Sequence, residues 1–73
     1  MESDQLLTSK DFADVLSVSH RQVFRLLDQG LVIPPMKIGK SVRWSRMEVN
    51  RWIASGMVNA KLWKVMESAR LES

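Results

Sequence analysis

Cysteine and tyrosine are absent from the 73 residues, and His20 is the only histidine. Without cysteine the chain forms no disulfide and no thiolate metal site, and one imidazole is too few for the usual zinc ligand sets. No cysteine nucleophile, second histidine or suitably spaced pair of carboxylates is present for covalent or acid–base catalysis. We therefore expect no enzyme, no metal and no cofactor.

Long apolar runs are also missing. None approaches the roughly 20 residues that a membrane-spanning helix needs. The first five residues, MESDQ, are acidic where a secretion signal is basic. Together with the lack of cysteine, these features predict a cytoplasmic protein with no membrane partner, and the length allows one small domain.

Positive charge is distributed unevenly along the chain, whose formal net charge is +3. Residues 1–16 contain four acidic side chains and one lysine. Residues 17–46 contain six basic side chains against Asp28 alone, and residues 47–73 contain four basic against three acidic. The concentration of positive charge in the middle of the chain indicates a polyanionic partner such as nucleic acid.

The stretch 16–30, LSVSHRQVFRLLDQG, predicts the turn and second helix of a helix-turn-helix. Ser19 is a suitable N-cap for a helix over residues 19–29, and Gly30 can end it in the left-handed conformation. Apolar residues at i, i+3 and i+4 form one stripe: Val23, Leu26 and Leu27. The other side presents Arg21, Gln22, Arg25 and Gln29. Guanidinium and amide groups match the edges of guanine and adenine, so this helix is a candidate for contact with double-stranded DNA.

The segments on either side predict a first helix over residues 9–16 and a hairpin. Two prolines, Pro34 and Pro35, exclude helix before two short strands, residues 36–38 and 42–44, around the tip Gly39-Lys40-Ser41. Strand alternation is expected to turn Met36 and Ile38, like Val42 and Trp44, towards the helices. The cationic side chains would then share the exposed side of the hairpin: Lys37, Lys40 and Arg43.

Two more helices are expected after the hairpin. Ser45 and Glu48 form a capping-box pattern before a helix over residues 46–55, which Gly56 ends. Asn59 is expected to cap a last helix over residues 60–71, with Trp63 at its edge either folding back or forming a partner patch. Its expected apolar face is Leu62, Val65, Met66 and Ala69. The expected core is Phe12, Leu16, Val23, Leu26, Leu27, Ile38, Trp44, Trp52 and Ile53.

These elements predict a mainly α fold with a small β-hairpin, a winged helix-turn-helix. We assign residues 1–56 to the winged-helix domain and residues 57–73 to a helical tail that docks on it or binds a partner.

A longer pattern runs from about residue 6 to residue 55. It comprises Leu7-Thr8, Ala13, Leu16-Ser17-Val18-Ser19, Val23, Arg25-Leu26, Gly30, Lys37-Ile38-Gly39, Val42-Arg43-Trp44, and Val49 with Trp52-Ile53. With these residues the chain resembles the winged-helix excisionase and AlpA-like regulator group, relatives of the MerR DNA-binding domain. The chain departs from this group at His20, often basic there, and at Phe24, often tyrosine.

The resemblance implies a bacterial or phage DNA-binding protein that contacts DNA through its second helix and its wing. The candidate contact residues are Ser19, His20, Arg21, Gln22, Arg25, Lys37, Lys40, Ser41, Arg43 and Arg46.

The function expected first is that of an excisionase, an accessory that binds and bends DNA for a site-specific integrase. A chain without tyrosine cannot itself be a tyrosine recombinase. One small domain touches few base pairs, so we expect several copies on neighbouring sites, arranged as direct repeats. Two alternatives remain: an AlpA-like transcriptional regulator of a prophage or mobile element, and a small protein-interaction inhibitor that docks its basic face on an acidic partner.

Overall fold

The computed structural model describes residues 5–72. Glu2 and Asp4, two of the acidic residues in the N-terminal charge count, therefore lie outside the described residues. Four helices and a small antiparallel sheet follow in the order β1 (Leu6–Leu7), α1 (Ser9–Leu16), α2 (His20–Asp28), β2 (Met36–Ile38), β3 (Ser41–Ser45), α3 (Arg46–Ala54) and α4 (Ala60–Glu72). The predicted fold class, a winged helix-turn-helix, is confirmed.

Local hydrogen bonds set the ends of α1 and α2. Thr8 and Asp11 form a reciprocal capping box at the start of α1, with both bonds at 3.1 Å. Ser17 ends that helix in the left-handed conformation, with φ 57°. The Ser19 hydroxyl then accepts from the Gln22 amide at 3.1 Å, as the sequence predicts. These caps hold the turn between the two helices to three residues.

The sheet has three strands in the order β1-β3-β2. In β1, Leu6 pairs with Ser45 and Leu7 with Trp44. The sequence does not predict this strand, because two residues are too few to show a strand period. This additional strand makes β3 the central strand of the sheet.

The register of the hairpin differs from the expected one. Ile38 pairs with Ser41 and Met36 with Arg43, across a two-residue turn in which Gly39 has φ 62°. The sequence predicts Ser41 as part of a three-residue tip, and the observed shift of one residue reverses which side chains share a face. Met36 and Ile38 therefore lie on the outer face, 43% and 56% exposed, and the expectation that they pack on the helices is wrong.

The same register separates the basic side chains of the hairpin. Lys37 pairs with Val42, so it lies on the face of the sheet that also bears buried Trp44. Arg43 lies on the opposite face. The expectation that Lys37, Lys40 and Arg43 share one side is therefore wrong for Lys37 and Arg43.

Aromatic side chains form the centre of the core. Phe12 of α1 stacks on Trp44 of β3, with ring centroids 4.4 Å apart, and lies 6.0 Å from the ring of Trp52. The indole N–H of Trp44 donates to the Ile33 carbonyl at 3.0 Å, and that of Trp52 donates to the Val58 carbonyl at 2.7 Å. Both polar groups of these tryptophans are thus satisfied, as burial requires.

The predicted core is confirmed in part. Phe12, Val23, Trp44 and Trp52 are buried, and Leu16, Leu26 and Leu27 pack against them half-buried. Ile38 and Ile53 are exposed, so those two assignments are wrong. Ile38 follows the hairpin register, and on α3 the buried side is held by Val49 and Trp52. The buried apolar residues that the prediction omitted are Leu7, Ala13, Val32, Ile33, Val49 and Trp63.

Helix α4 packs on α3 through a side that the sequence did not predict. Trp63 is only 4% exposed, and its indole N–H donates to the Glu48 carboxylate at 3.4 Å. Glu67 accepts from Arg51 of α3 at 2.8 Å. Leu62 and Val65 are exposed, so the expected apolar face of this helix does not pack on the domain. Trp63 itself folds back on the domain, which was one of the two outcomes considered.

Candidate nucleic-acid interface

Helix α2 presents a basic face to solvent. Val23 is buried and Leu26 and Leu27 are half-buried against the core, which fixes the rotation of the helix. Arg21 and Arg25, one helical turn apart, consequently point outwards and are exposed. Both line a shallow concavity of about 560 Å³ on this face. Two guanidinium groups are thus presented side by side on a rigid element.

The first turn of α2 is tied to α1. His20 Nε2 lies 2.5 Å from the Ser9 hydroxyl, and its ring meets Phe24 edge-on with centroids 5.3 Å apart. Ser19 caps the helix, and Gln22 lies half-buried at the flank of the basic face. Of the candidate residues in this turn, Ser19 and His20 therefore have structural partners that orient the helix.

Phe24 is an exposed residue of this face that the candidate set omitted. It is 44% exposed and lines the same concavity as Arg21 and Arg25. Its position on the helical wheel, next to the exposed arginines and away from the Val23 stripe, is the signal that would have identified it. An exposed phenyl ring on such a face is suited to contact the methyl group of thymine.

The wing consists of residues 36–45, which form strands β2 and β3 of the sheet and the turn between them. Lys40 lies in its two-residue turn and is exposed. Lys37 lies on the helix side of the sheet, whereas Ser41 and Arg43 lie on the outer side. The Arg43 guanidinium donates to the Val42 carbonyl at 2.7 Å, which directs it along the strand. Lys37 and Lys40 are therefore the wing cations best placed to act together with α2.

Arg46 is placed apart from the other candidates. It follows β3 at the end opposite the hairpin tip, and its backbone N–H and side-chain Nε donate to Gln5 at 2.9 and 3.0 Å. With Asp11 and Asp14 it lines a concavity of about 280 Å³. Hydrogen bonds from Thr8, together with the smaller effect of the Arg46 charge, lower the pKa of Asp11. Arg46 thus lies beside the acidic side chains of α1, apart from the basic side chains of the wing.

Asp28 is the only acidic residue in the sequence between residues 17 and 46, and it lines the same concavity as Arg21 and Arg25. In the part of the chain that the structure describes, no cluster of three or more possible metal ligands occurs. Over the same residues no helix is long and apolar enough to cross a membrane. The exposed side chains of Arg21, Arg25, Lys37 and Lys40 are positively charged hydrogen-bond donors, which match phosphates and the acceptor edges of bases.

The sequence profile of the helix-turn-helix domain matches residues 6–57, well over half of the chain. The chain belongs to this helix-turn-helix domain family, which is typical of small AlpA-like and excisionase-like DNA-binding proteins. The resemblance noted from the sequence is thereby confirmed, and the protein is a DNA-binding helix-turn-helix protein. Comparisons with curated proteins and with solved structures each found no match.

Proposed function

We propose that this protein is an excisionase, a sequence-specific DNA-binding accessory that directs a site-specific integrase towards excision. The observation that supports it most is the joint placement of two basic elements on one small domain, α2 with Arg21 and Arg25 and the wing with Lys37 and Lys40. The role is architectural and involves no catalysis by this chain. Because its ligand is DNA, we expect the protein to act in the cytoplasm.

In the proposed complex α2 enters the major groove and the wing follows the adjacent phosphate backbone. Arg21 and Arg25 then contact base edges, with Gln22 at the flank nearer the core and Phe24 against thymine methyl groups. Lys37 and Lys40 neutralise phosphates and fix the register of the protein on the duplex. Ser19 and His20 orient the helix, and Ser41, Arg43 and Arg46 lie at the margin of the contact.

The accessory role follows from the size of this surface. A helix of nine residues, His20–Asp28, with one short hairpin reaches only a few base pairs. One copy then binds weakly, and useful occupancy requires further copies on adjacent sites. Several copies that grip the backbone on one side stabilise bent DNA, which brings distant integrase sites together.

Two measurements, made one after the other, test the proposal. First, selection from a random duplex library with the full chain, followed by gel shift, should yield a defined site, and Arg21→Ala should abolish the preference for it. Absence of any duplex binding would refute DNA recognition and would favour a protein-interaction module.

The second measurement is an excision assay with the cognate site-specific integrase. Adding the protein should raise the ratio of excision to integration, whereas the Arg21→Ala variant, as the matched control, should not. An unchanged ratio, with an effect on transcription from a promoter that contains the selected site, would refute the excisionase role and identify an AlpA-like regulator.

A further inference from the structure

Asp28 is the only acidic residue of α2, and it lies on the basic face of that helix. It follows Arg21 by seven positions and Arg25 by three, so at about 100° per residue all three fall on one side of the helix. The three side chains are exposed and line the same concavity of about 560 Å³. A carboxylate therefore lies within the surface of the proposed DNA contact.

The stability of the helix does not account for this carboxylate. Asp28 is the last residue of α2, where the helix dipole favours cations and disfavours anions, and aspartate is a poor helix former. In the part of the chain that the structure describes, the ion pairs are those of Glu67 with Arg51 and Arg70. Over the same residues the Asp28 side chain has no hydrogen-bond or ion-pair partner. Its role is therefore to be sought in binding.

The charge of Asp28 also opposes binding to DNA of arbitrary sequence. Phosphates repel a carboxylate on the face that approaches them, whatever the bases between them. This repulsion is offset only where a hydrogen-bond donor of the DNA meets the carboxylate. A charge that one ligand satisfies and another leaves unpaired separates the affinities of the two ligands. Asp28 is thus suited to discriminate between DNA sequences.

Few hydrogen-bond donors of DNA are available to a carboxylate in the major groove. Guanine presents two acceptors there, and thymine presents an acceptor and a methyl group. Adenine has an amino group, but the N7 acceptor beside it would face the second carboxylate oxygen. Cytosine presents its amino group and no acceptor of its own, and carboxylates accept from it. Cytosine is therefore the base that fits Asp28 best.

We propose that Asp28 recognises cytosine by accepting a hydrogen bond from its amino group in the major groove, and that it rejects guanine and thymine at that position. This rests on the proposed docking of α2. Along the helix axis Asp28 lies about 4.5 Å from Arg25 and about 10.5 Å from Arg21. At about 3.4 Å per base pair, the cytosine lies about one base pair from the base that Arg25 contacts and about three from that of Arg21.

Asparagine at this position tests the chemistry of the contact. Aspartate is short, so its contact requires the end of α2 to lie close to the base edges, while the longer arginines bend to reach theirs. Asp28→Asn keeps this length, removes the charge and presents one donor beside one acceptor. That pair matches the N7 and amino group of adenine. The variant should therefore prefer adenine where the unmodified protein prefers cytosine.

Selection from a random duplex library, in parallel for the unmodified chain, Asp28→Ala and Arg25→Ala, locates the position. Asp28→Ala should lose the preference for cytosine at one base pair, and Arg25→Ala should lose its preference at a neighbouring one. Duplexes with each of the four base pairs at the Asp28 position are then titrated by fluorescence anisotropy. The unmodified chain should bind the cytosine duplex at least about fivefold more tightly than the guanine or thymine duplex. Asp28→Ala should bind all four nearly equally.

Asp14→Asn is the matched control. It removes the same charge from an exposed carboxyl group on α1, which lines a different concavity together with Arg46. This variant should retain every base preference. If Asp28→Asn instead strengthens binding to all four duplexes alike, the carboxylate only repels phosphates and the proposal is wrong. If the altered preference falls at the base pair that Arg25 contacts, Asp28 orients that arginine and does not recognise a base.

Failure of this proposal is distinguishable from failure of the proposed function. A defined site selected by the unmodified chain, and selected with the same preferences by Asp28→Ala, would refute cytosine recognition and leave DNA recognition standing. Absence of any selected site would refute both. Circular dichroism of each variant verifies that it is folded, as expected for an exposed residue at the end of a helix.

Discussion

The hairpin register yields a prediction that distinguishes two cations only six residues apart. Lys37 lies on the helix side of the wing, and Arg43 lies on the outer side with its guanidinium bonded to the Val42 carbonyl. Replacement of each by glutamine removes one positive charge and keeps most of the side-chain length. If DNA lies against α2 and the helix side of the wing, only Lys37→Gln removes a phosphate contact.

The size of the effect follows from counterion release. Each neutralised phosphate contributes about −0.9 to the slope of log K against log salt, so the two cations proposed to contact phosphates, Lys37 and Lys40, give about −1.8. Lys37→Gln should reduce the slope to about −0.9, since one contact of about 0.9 is lost, and Arg43→Gln should leave it unchanged. Between about 50 and about 200 mM salt, one contact corresponds to about 3.5-fold in affinity.

Fluorescence anisotropy with the selected duplex, titrated at several salt concentrations, measures these slopes. Thermal unfolding of both variants, followed by circular dichroism, verifies that each is folded. If Arg43→Gln flattens the slope and Lys37→Gln does not, the outer face of the wing contacts DNA and the proposed docking is wrong. A slope near zero for the unmodified protein would remove the electrostatic basis of the interface.

Three further predictions concern the core, the α4 docking and base recognition. Trp52→Ala should lower the free energy of unfolding by about 3–5 kcal/mol in urea denaturation, because the indole is buried and bonded; unfolding like the unmodified protein would refute this. Hydrogen bonds from Arg70, and those from Arg51, lower the pKa of Glu67. A carboxylate with a lowered folded-state pKa stabilises the fold above its unfolded pKa. The advantage of the unmodified protein over Glu67→Gln should therefore vanish in acid, as pH falls through the folded pKa, whereas a pH-independent difference would contradict the ion pair. Arg25→Ala should cost about 1–3 kcal/mol of discrimination between the selected site and a mismatched one, and an equal loss on all sequences would reassign Arg25 to phosphate.

Helix boundaries were predictable because their signals are local. Thr8, Ser19 and Ser45 each accept from a backbone N–H three residues ahead, so the cap and its partner lie within one turn. The observed helices begin and end within about one residue of the predicted ones. The rotation of α2, and with it the exposure of Arg21 and Arg25, followed from apolar spacing alone.

The sheet depended on pairing between distant segments and was predicted only in part. Both strands of the hairpin were found, but their register is set by turn length, and treating Ser41 as part of the tip changed it by one residue. The position of Arg46 could not be predicted for a related reason. It is bound by Gln5, which stands next to β1, a strand of two residues with no pattern of its own.

Helix α4 shows that an apolar stripe does not always identify the buried side of a helix. Leu62, Val65 and Met66 gave the expected spacing, yet the helix docks through Trp63 and the ion pair of Glu67 with Arg51. One buried indole removes a large apolar surface from water, and the two polar contacts fix the rotation of the helix around it. A pattern that counts apolar positions equally cannot weigh one tryptophan against three smaller side chains.

Helix α2 and the wing, the two elements proposed to contact DNA, are joined through the aromatic core. Helix α2 packs on α1, and the wing continues from β3, so their relative position depends on how α1 lies on β3. Phe12 of α1 stacks on Trp44 of β3 at 4.4 Å with an interplanar angle of 14°, and both side chains are fully buried. All three residues of β2 are exposed, so the apolar contacts of the wing with the core are those of Val42 and Trp44 in β3. The stack of Phe12 on Trp44 therefore helps to set the spacing between α2 and the wing, although neither residue reaches the surface.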